Sequence, residues 1–391
     1  MKQLPARILS IDTLRALTMF LMIFVNDVAG VSNIPQWIKH TEANVDGMGF
    51  SDIIFPAFLF IVGLSLPFAI KSRINKGKSF VAISWYILLR SLALIIVGFF
   101  QVNLENYNEA MALLPYAVYT ILLTLAFFLI WLDYPETLAK IRQNVLISAG
   151  IILLLILAFL YKGGTVDHPE GLKPHWWGIL GIIGWAYLVT AFVYLVTKRS
   201  LILLGIAFVV FAALNVTLHM GLLKVQIPLI GDASSITLLL GGVLIAEGYS
   251  YLISRNKAIV FWIVLSLSAV VAICFGTVIR PFAGGISKIY ATPAWVFICM
   301  GITILAFGLL VYLIDARQKK DLFRFIKPAG TSTLTCYLIP YFLYSVFSLL
   351  HFRFPHVLSS GLGGIIRSFF IAALVIVIVA YLEKKKLRLR V

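Results

Sequence analysis

Charged residues are scarce in this 391-residue chain: Asp, Glu, Lys and Arg make up 12% of it, and only 16 residues are acidic. A soluble domain carries about 25% charged residues, so the composition excludes an ordinary soluble protein. The three cysteines, Cys274, Cys299 and Cys336, form no CxxC pair, which argues against a disulfide scaffold or a cysteine metal site. Hydrophobic residues instead make up 61% of the chain, and this indicates a polytopic membrane protein.

Twelve continuous apolar runs are each long enough to form a spanning helix of about 20 residues. They cover residues 13–31, 52–70, 82–102, 112–132, 144–161, 178–197, 200–219, 235–254, 258–279, 294–314, 331–350 and 362–382. Barrel strands would instead alternate polar and apolar residues over about 10 positions. The sequence therefore predicts an all-α fold, a transmembrane helical bundle that forms one domain over residues 1–391 with no separate soluble domain.

The net charge of +16 is distributed unevenly between the connecting segments. One alternating set contains 22 of the 32 Lys and Arg residues, including Lys2 and Arg7 before the first run. The other set contains seven: Lys39, Lys162, Lys173, Lys224, Arg280, Lys288 and Arg353. The positive-inside rule makes the richer set cytoplasmic, so we expect a multi-pass protein of the inner (plasma) membrane with both termini cytoplasmic. The first run has no small-residue cleavage site and is expected to remain as a signal-anchor.

The basic charge is thus an orientation signal, and no basic patch with interleaved aromatic residues predicts a nucleic-acid partner. Membrane lipids are the partners that the composition itself implies. The oligomeric state stays open, with a homodimer as one arrangement.

Ionisable residues at membrane depth are functional candidates because they are costly to bury. Asp12 and Arg15 are three residues apart in the first run and share a helical face. They form either an intrahelical ion pair or a site in which Asp12 holds Arg15 towards an anionic ligand. Arg90, near the cytoplasmic end of the third run, either extends its side chain to the interface or joins that site.

The predicted outer loop after the first run contains His40, and the second run begins at Asp52. A histidine in a loop is often simply solvated, but its titration near neutral pH suits a general base. Asp52 could cap the second helix or orient the His40 ring. Gly47 and Gly49 between them permit a tight backbone.

Other polar residues near the predicted outer face are weaker candidates. Asn26 and Asp27 end the first run and could cap it or be solvated, and His175 and Trp176 could belong to an aromatic belt. Pairing His40 with His168 or His175 gives neither HxxxH nor HxH spacing, so the sequence predicts no metal site.

Taken in order, the motifs of the first seventy residues resemble the heparan-α-glucosaminide N-acetyltransferase family, and more closely its bacterial membrane homologues. The motifs are Arg7-Ile-Leu-Ser-Ile-Asp12-Thr-Leu-Arg15, Phe24-Val25-Asn26-Asp27, His40, and Gly47 through Asp52-Ile-Ile-Phe55-Pro56 to Gly63. The chain departs from the family pattern at Ala16, where Gly is frequent, and at Ala43, where Trp is usual.

This resemblance implies a transmembrane acyltransferase that moves an acetyl group from cytosolic acetyl-CoA to an amine or hydroxyl of an amino sugar or glycan on the outer face. It implies that His40 is the general base or a transient acyl carrier, with Asn26 and Asp52 as further catalytic residues. We expect Arg15, Asp12 and Arg90 to hold acetyl-CoA. We expect Asp27, His175 and Trp176 to contact the acceptor.

A secondary transporter or flippase of a small polar or glycan-linked solute is the main alternative, since twelve spans with both termini inside is a common transporter plan. Two features count against it. The sixth and seventh runs are joined only by the short segment around residues 198–199, and no pair of Gly/Pro-interrupted helices recurs in the two halves.

Overall fold

The computed structural model describes residues 8–225 and 227–390. Lys2 and Arg7, which were assigned to the cytoplasmic side, lie outside these residues. The described chain is an all-α bundle, and each of the twelve apolar runs overlaps one of its long helices. Fold class was therefore predicted correctly from the continuous apolar runs.

The helices of the described chain are numbered in order. They are α1 (Leu9–Val28), α2 (Ser51–Asn75), α3 (Phe80–Asn103), α4 (Tyr116–Trp131), α5 (Lys140–Leu160), α6 (Gly178–Val196), α7 (Leu201–His219), α8 (Ser234–Ser254), α9 (Ala258–Ile279), α10 (Pro293–Leu310), α11 (Lys327–Thr331), α12 (Thr333–Leu349) and α13 (Gly361–Lys384). A π-helical turn, Val311–Ala316, continues α10. Short 3-10 turns occur at Gln36–Ile38, Leu104–Asn106, Lys320–Ile326 and His356–Leu358. Two-residue strands β1 (Gly163–Gly164) and β2 (Pro169–Glu170) pair antiparallel in the α5–α6 loop.

Ten helices in the described residues are long and apolar enough to cross a membrane. The run 112–132 forms only the 16-residue helix α4, because Pro115 disfavours helical backbone angles at the residue before it. At 1.5 Å per residue, α4 is about 24 Å long, shorter than a bilayer core of about 30 Å.

The eleventh run is bent near its start, at Ser332. The segments Asp321–Thr331 and Thr333–Leu349 meet at 76°. Ser332 adopts non-helical angles there (φ −124°, ψ 48°), whereas Pro340 lies inside the continuous helix α12. If the two segments count as one span, the described chain has up to 11 spans.

Helices α2, α8 and α10 form the buried centre of the bundle. A Cβ on Gly63 of α2 would lie 2.0 Å from the Leu239 carbonyl oxygen, and one on Gly242 of α8 would lie 2.1 Å from that of Phe60. Glycine at these positions lets the two backbones approach closely, as membrane helices commonly do. The central helix α2 is therefore packed closely on α8 around Gly63.

Contacts between helix ends define two ends of the bundle. The basic end contains the start of α1, the finish of α2 and residues 315–330. The histidine end contains residues 29–50 and 280–292, which contact each other. The start of α1 and the loop that follows α1 thus lie at opposite ends of the bundle, although they are close in sequence.

Candidate active site

His40 and Asp52 form a hydrogen-bonded pair at the histidine end. His40 Nδ1 lies 2.7 Å from Asp52 Oδ1. Asp52 Oδ2 accepts the backbone N–H groups of Thr41 (3.0 Å) and Gly49 (2.9 Å). The Asp52 side chain is 1% exposed, while that of His40 is 35% exposed. Because two N–H donors occupy Oδ2, Oδ1 is the oxygen that faces His40, and a carboxylate there favours a proton on Nδ1 and makes Nε2 the basic nitrogen.

The loop that carries His40 folds back onto the first turn of α2. The Phe50 N–H donates to the Trp37 carbonyl (2.6 Å), and Ser51 Oγ donates to the Ile38 carbonyl (2.5 Å). A Cβ on Gly49 would lie 2.0 Å from the Lys39 carbonyl oxygen, so glycine is required there. The expected tight backbone is confirmed at Gly49.

A proline explains how α10 joins the site. Pro56 has no N–H to donate to the carbonyl of Asp52, four residues earlier. The Trp295 indole N–H of α10 donates to that carbonyl instead, at 3.0 Å. The missing helical hydrogen bond is thus replaced by one that fixes α10 against the first turn of α2.

Lys288, from the α9–α10 loop, completes the site. Its Nζ lies 3.1 Å from His40 Nδ1, 3.5 Å from His40 Nε2 and 4.0 Å from Asp52 Oδ1. Burial lowers the pKa of Lys288, and the negative charge of Asp52 partly opposes this effect. From sequence, Lys288 is only one of the seven basic residues of the predicted outer loops, because 248 residues separate it from His40.

An ion pair connects the α9–α10 loop to the His40 loop. Arg280 Nε contacts both carboxylate oxygens of Asp46, at 3.1 and 2.9 Å. The Ile286 N–H donates to Asp46 Oδ1 (2.6 Å), and the Gly47 N–H donates to the Ile286 carbonyl (3.0 Å). The Ile286 N–H, followed by the Arg280 guanidinium, lowers the pKa of Asp46. The two loops therefore form one unit at neutral pH.

Arg15 lies at the basic end and links three segments. Its guanidinium donates to Ser65 Oγ on α2 (2.5 Å) and to the Gly330 carbonyl beside the bend (3.4 Å). It also contacts Asp12 at 3.4 Å, so the expected same-face pair is present. Arg15 is thus held in place by α2 and α11, while Asp12 remains half exposed.

Arg90 belongs to the same region. Its Nη1 donates to Tyr86 OH (3.1 Å), and its Cζ lies 5.4 Å from the centre of the Tyr187 ring. The charges of Arg90 and Arg15 are close enough to repel each other. The structure therefore brings together two of the cations expected to bind acetyl-CoA.

Asn26 and Asp27 have different environments at the end of α1. Asn26 is exposed and makes no hydrogen bond or ion pair within residues 8–225 and 227–390. Asp27 is 4% exposed, pairs with Arg367 Nη2 of α13 (3.1 Å) and accepts a hydrogen bond from Tyr344 of α12. Asp27 is therefore neither a cap nor solvated but ties three helices together.

His175 and Trp176 lie in the α5–α6 loop, directly before α6, and contact the 3-10 turn that follows α3. Trp176 Nε1 donates to Glu105 Oε2 (3.2 Å), and His175 Nε2 lies 3.4 Å from Asn106 Nδ2. Among the described contacts, none joins this pair to His40. The structure thus separates the two candidate acceptor-binding residues from the His40–Asp52 pair.

In chemical terms, the histidine end holds an oriented imidazole, a buried carboxylate and a cation. This set can remove a proton from an amine or hydroxyl and place a positive charge beside the reacting atoms. In the part of the chain that the structure describes, no group of three or more His, Cys, Asp or Glu side chains could hold a metal ion.

Comparison with known proteins relates this site to a family. The family described as "Domain of unknown function (DUF5009)" matches residues 7–224, more than half of the chain. The heparan-alpha-glucosaminide N-acetyltransferase of Homo sapiens is 37% identical over 105 residues, which is 27% of this chain and 15% of the human protein. The Mus musculus enzyme of the same name is 36% identical over 102 residues, 26% of this chain and 14% of its own length. The chain thus matches only a small part of these relatives. By its match over residues 7–224 it belongs to the DUF5009 family.

Proposed function

We propose that the protein is a membrane acetyltransferase that takes an acetyl group from acetyl-CoA at the basic end and delivers it to an acceptor at the histidine end. The observation that carries this proposal is the His40–Asp52 pair, at 2.7 Å. Asp52 lies on the first turn of α2, and Ser65, on a later turn of the same helix, binds Arg15. The acetyltransferase names of the two relatives support the same reaction.

The basic end suits the nucleotide part of acetyl-CoA. Arg15 presents a guanidinium that Ser65 and Gly330 hold in place, and phosphate oxygens are the preferred ligands of such a fixed guanidinium. Arg90 adds a second charge nearby. Two like charges so close together favour a ligand with several negative charges.

The distribution of charge supports the sidedness. The connecting segments at the basic end are the Lys- and Arg-rich set, which the positive-inside rule assigns to the cytoplasm. Acetyl-CoA would then enter from the cytosol, and its acetyl-bearing arm would extend between the helices towards His40. The acceptor would meet the acetyl group at the outer face.

In the proposed reaction, Nε2 of His40 removes a proton from the acceptor amine or hydroxyl, which attacks the thioester carbonyl. The carbon–sulfur bond breaks, and the CoA sulfur leaves as a thiolate that takes the proton from His40. Alternatively, Nε2 itself attacks the thioester carbonyl, the carbon–sulfur bond breaks and the CoA thiolate leaves. The acceptor then attacks the acetyl carbon, the bond from that carbon to Nε2 breaks, and the acceptor proton passes to the thiolate. Asp52 stabilises the positive imidazole in either route, and Asn26 would polarise the carbonyl.

The acceptor class follows from the relatives, whose name specifies a glucosaminide amine. We therefore propose an amino sugar or a glycan with an amine or hydroxyl acceptor. Asp27 is already paired with Arg367, so it is a weaker candidate for acceptor binding than the exposed pair His175 and Trp176.

The test combines binding and transfer. Purified protein is heated with and without acetyl-CoA, and radiolabelled acetyl-CoA is then supplied with amino sugars and envelope glycans. We expect acetyl-CoA to raise the unfolding temperature of both the wild type and His40→Ala, and only the wild type to label an acceptor. Neither stabilisation nor labelling in the wild type would contradict the proposal and favour the transporter alternative.

A further inference from the structure

Lys288 occupies a position that base catalysis by His40 and Asp52 does not by itself require. Its Nζ lies within 3.5 Å of both ring nitrogens of His40. The Nδ1 proton of His40 is directed at Asp52 Oδ1, 2.7 Å away. The Lys288 ammonium has three N–H donors, and the neutral ring offers it only Nε2 as an acceptor. Donors therefore remain for a ligand oxygen beside the ring.

An acyl group that reacts at the His40 site must place its carbonyl carbon near Nε2. The carbonyl oxygen then lies about one bond length beyond that carbon. Because Lys288 Nζ is 3.5 Å from Nε2, this oxygen falls within hydrogen-bonding range of Nζ. Asn26, the other candidate for contact with this oxygen, makes no described contact with His40. Lys288 is thus the polar group already in contact with the base.

The loop around Lys288 is held on both sides. On one side, Asp46 binds Arg280 and the Ile286 N–H. On the other, His219 Nε2 of α7 lies 2.8 Å from the Tyr290 carbonyl oxygen. A charge that is fixed before the reaction stabilises a transition state without the cost of reorganisation.

We propose that Lys288 is a catalytic residue whose ammonium donates a hydrogen bond to the thioester carbonyl oxygen as that oxygen becomes an oxyanion. This inference rests on the proposed acetyl transfer. When the nucleophile bonds to the carbonyl carbon, the π electron pair moves onto the oxygen beside Lys288. When the carbon–sulfur bond breaks, the pair returns to re-form the carbonyl. Lys288 keeps its proton throughout.

The cationic form of Lys288 is required for this role, so activity should fall at alkaline pH. Because burial lowers the pKa of Lys288, the fall should begin below the range of an ordinary lysine. The titratable groups that face Nζ are His40 and Asp52. A general base and its carboxylate partner act in their deprotonated forms, which a rise in pH favours, so neither accounts for a loss of activity at alkaline pH.

The test compares Lys288→Met and Lys288→Arg with wild type, with Lys224→Met, an exposed lysine of another outer loop, as the matched control. Steady-state transfer from labelled acetyl-CoA is measured across pH, and thermal unfolding verifies folding. We expect Lys288→Met to lower kcat by about 100- to 1000-fold with KM for acetyl-CoA nearly unchanged. Lys288→Arg should retain part of the activity and keep it to higher pH, and Lys224→Met should match wild type.

Three outcomes overturn the assignment. A kcat within threefold of wild type for Lys288→Met, with His40→Ala inactive, refutes it and leaves the proposed function intact. A raised KM for the acceptor at unchanged kcat makes Lys288 an acceptor-binding residue instead. If wild-type protein neither binds acetyl-CoA nor transfers acetyl, the proposed function and this inference fail together.

Discussion

Asp52 and Ser65 lie on the same helix, α2, and each holds one of the two groups on which the proposed reaction depends. Asp52 orients His40 at one end, and Ser65 binds Arg15 thirteen residues later. At 1.5 Å per residue their separation is about 20 Å. Since α2 is packed closely on α8 at Gly63 and Gly242, the spacing between the two groups is fixed by the fold.

Arg15→Ala should impair donor binding specifically. A charged hydrogen bond to phosphate contributes about 1.5–3 kcal/mol, so we expect KM for acetyl-CoA to rise by about 10- to 100-fold while KM for the acceptor is unchanged. Arg142→Ala, at an exposed position near the start of α5, is the matched control and should behave like wild type. Equal effects of the two substitutions would show that Arg15 contributes only general charge.

Asp52→Asn should preserve the loop but weaken the base. The asparagine oxygen can still accept the Thr41 and Gly49 N–H groups, but it no longer offers a charge to the His40 imidazolium. We expect kcat to fall by about 100-fold or more, with little change in KM for acetyl-CoA and in the unfolding temperature. An unchanged kcat would contradict the pairing of His40 and Asp52 in catalysis.

Asp27 should prove structural. Breaking a buried ion pair by removing one partner costs about 3–5 kcal/mol, and Asp27 and Arg367 are 4% and 12% exposed. We therefore expect Arg367→Met to lower the unfolding temperature strongly, and Arg367→Met combined with Asp27→Leu to recover much of the loss. If Asp27→Asn raised KM for the acceptor without affecting stability, the substrate-binding role first assigned to Asp27 would be supported instead.

His219 should act on the reaction through Lys288. His219 Nε2 contacts the carbonyl of Tyr290, two residues beyond Lys288. We expect His219→Ala to lower kcat by about tenfold, with no effect on KM for acetyl-CoA.

A double-mutant comparison separates this positioning role from general destabilisation. In the Lys288→Met background, His219→Ala should cause almost no further loss of kcat, because residues that act as a unit are not additive. Full additivity of the two losses would contradict the connection between His219 and Lys288.

Most of the bundle could be predicted from sequence because continuous apolar runs carry a strong local signal. The site was predictable where its residues are near in sequence. Asp12 and Arg15 share one helical face, and a loop of eleven residues with Gly49 brings His40 to Asp52. These contacts follow from helical geometry and loop chemistry alone.

Contacts between distant helices could not be predicted in this way. Lys288, Trp295 and Arg367 reach their partners across more than 240 residues, and the sequence around each of them gives no indication of the partner. The bend at Ser332 has no local signal either: Pro340 lies inside the continuous helix α12. The bend instead accompanies the close approach of Gly330 to α1, where a Cβ would lie 2.7 Å from the Asp12 carbonyl oxygen.

Transfer across a sealed bilayer tests the central claim most directly. Protein of known orientation is reconstituted into vesicles that enclose the acceptor, and labelled acetyl-CoA is added outside. The account predicts label on the enclosed acceptor only for molecules with the Arg15 end facing out, and none for His40→Ala. Transfer that requires donor and acceptor on the same side of the bilayer would contradict it.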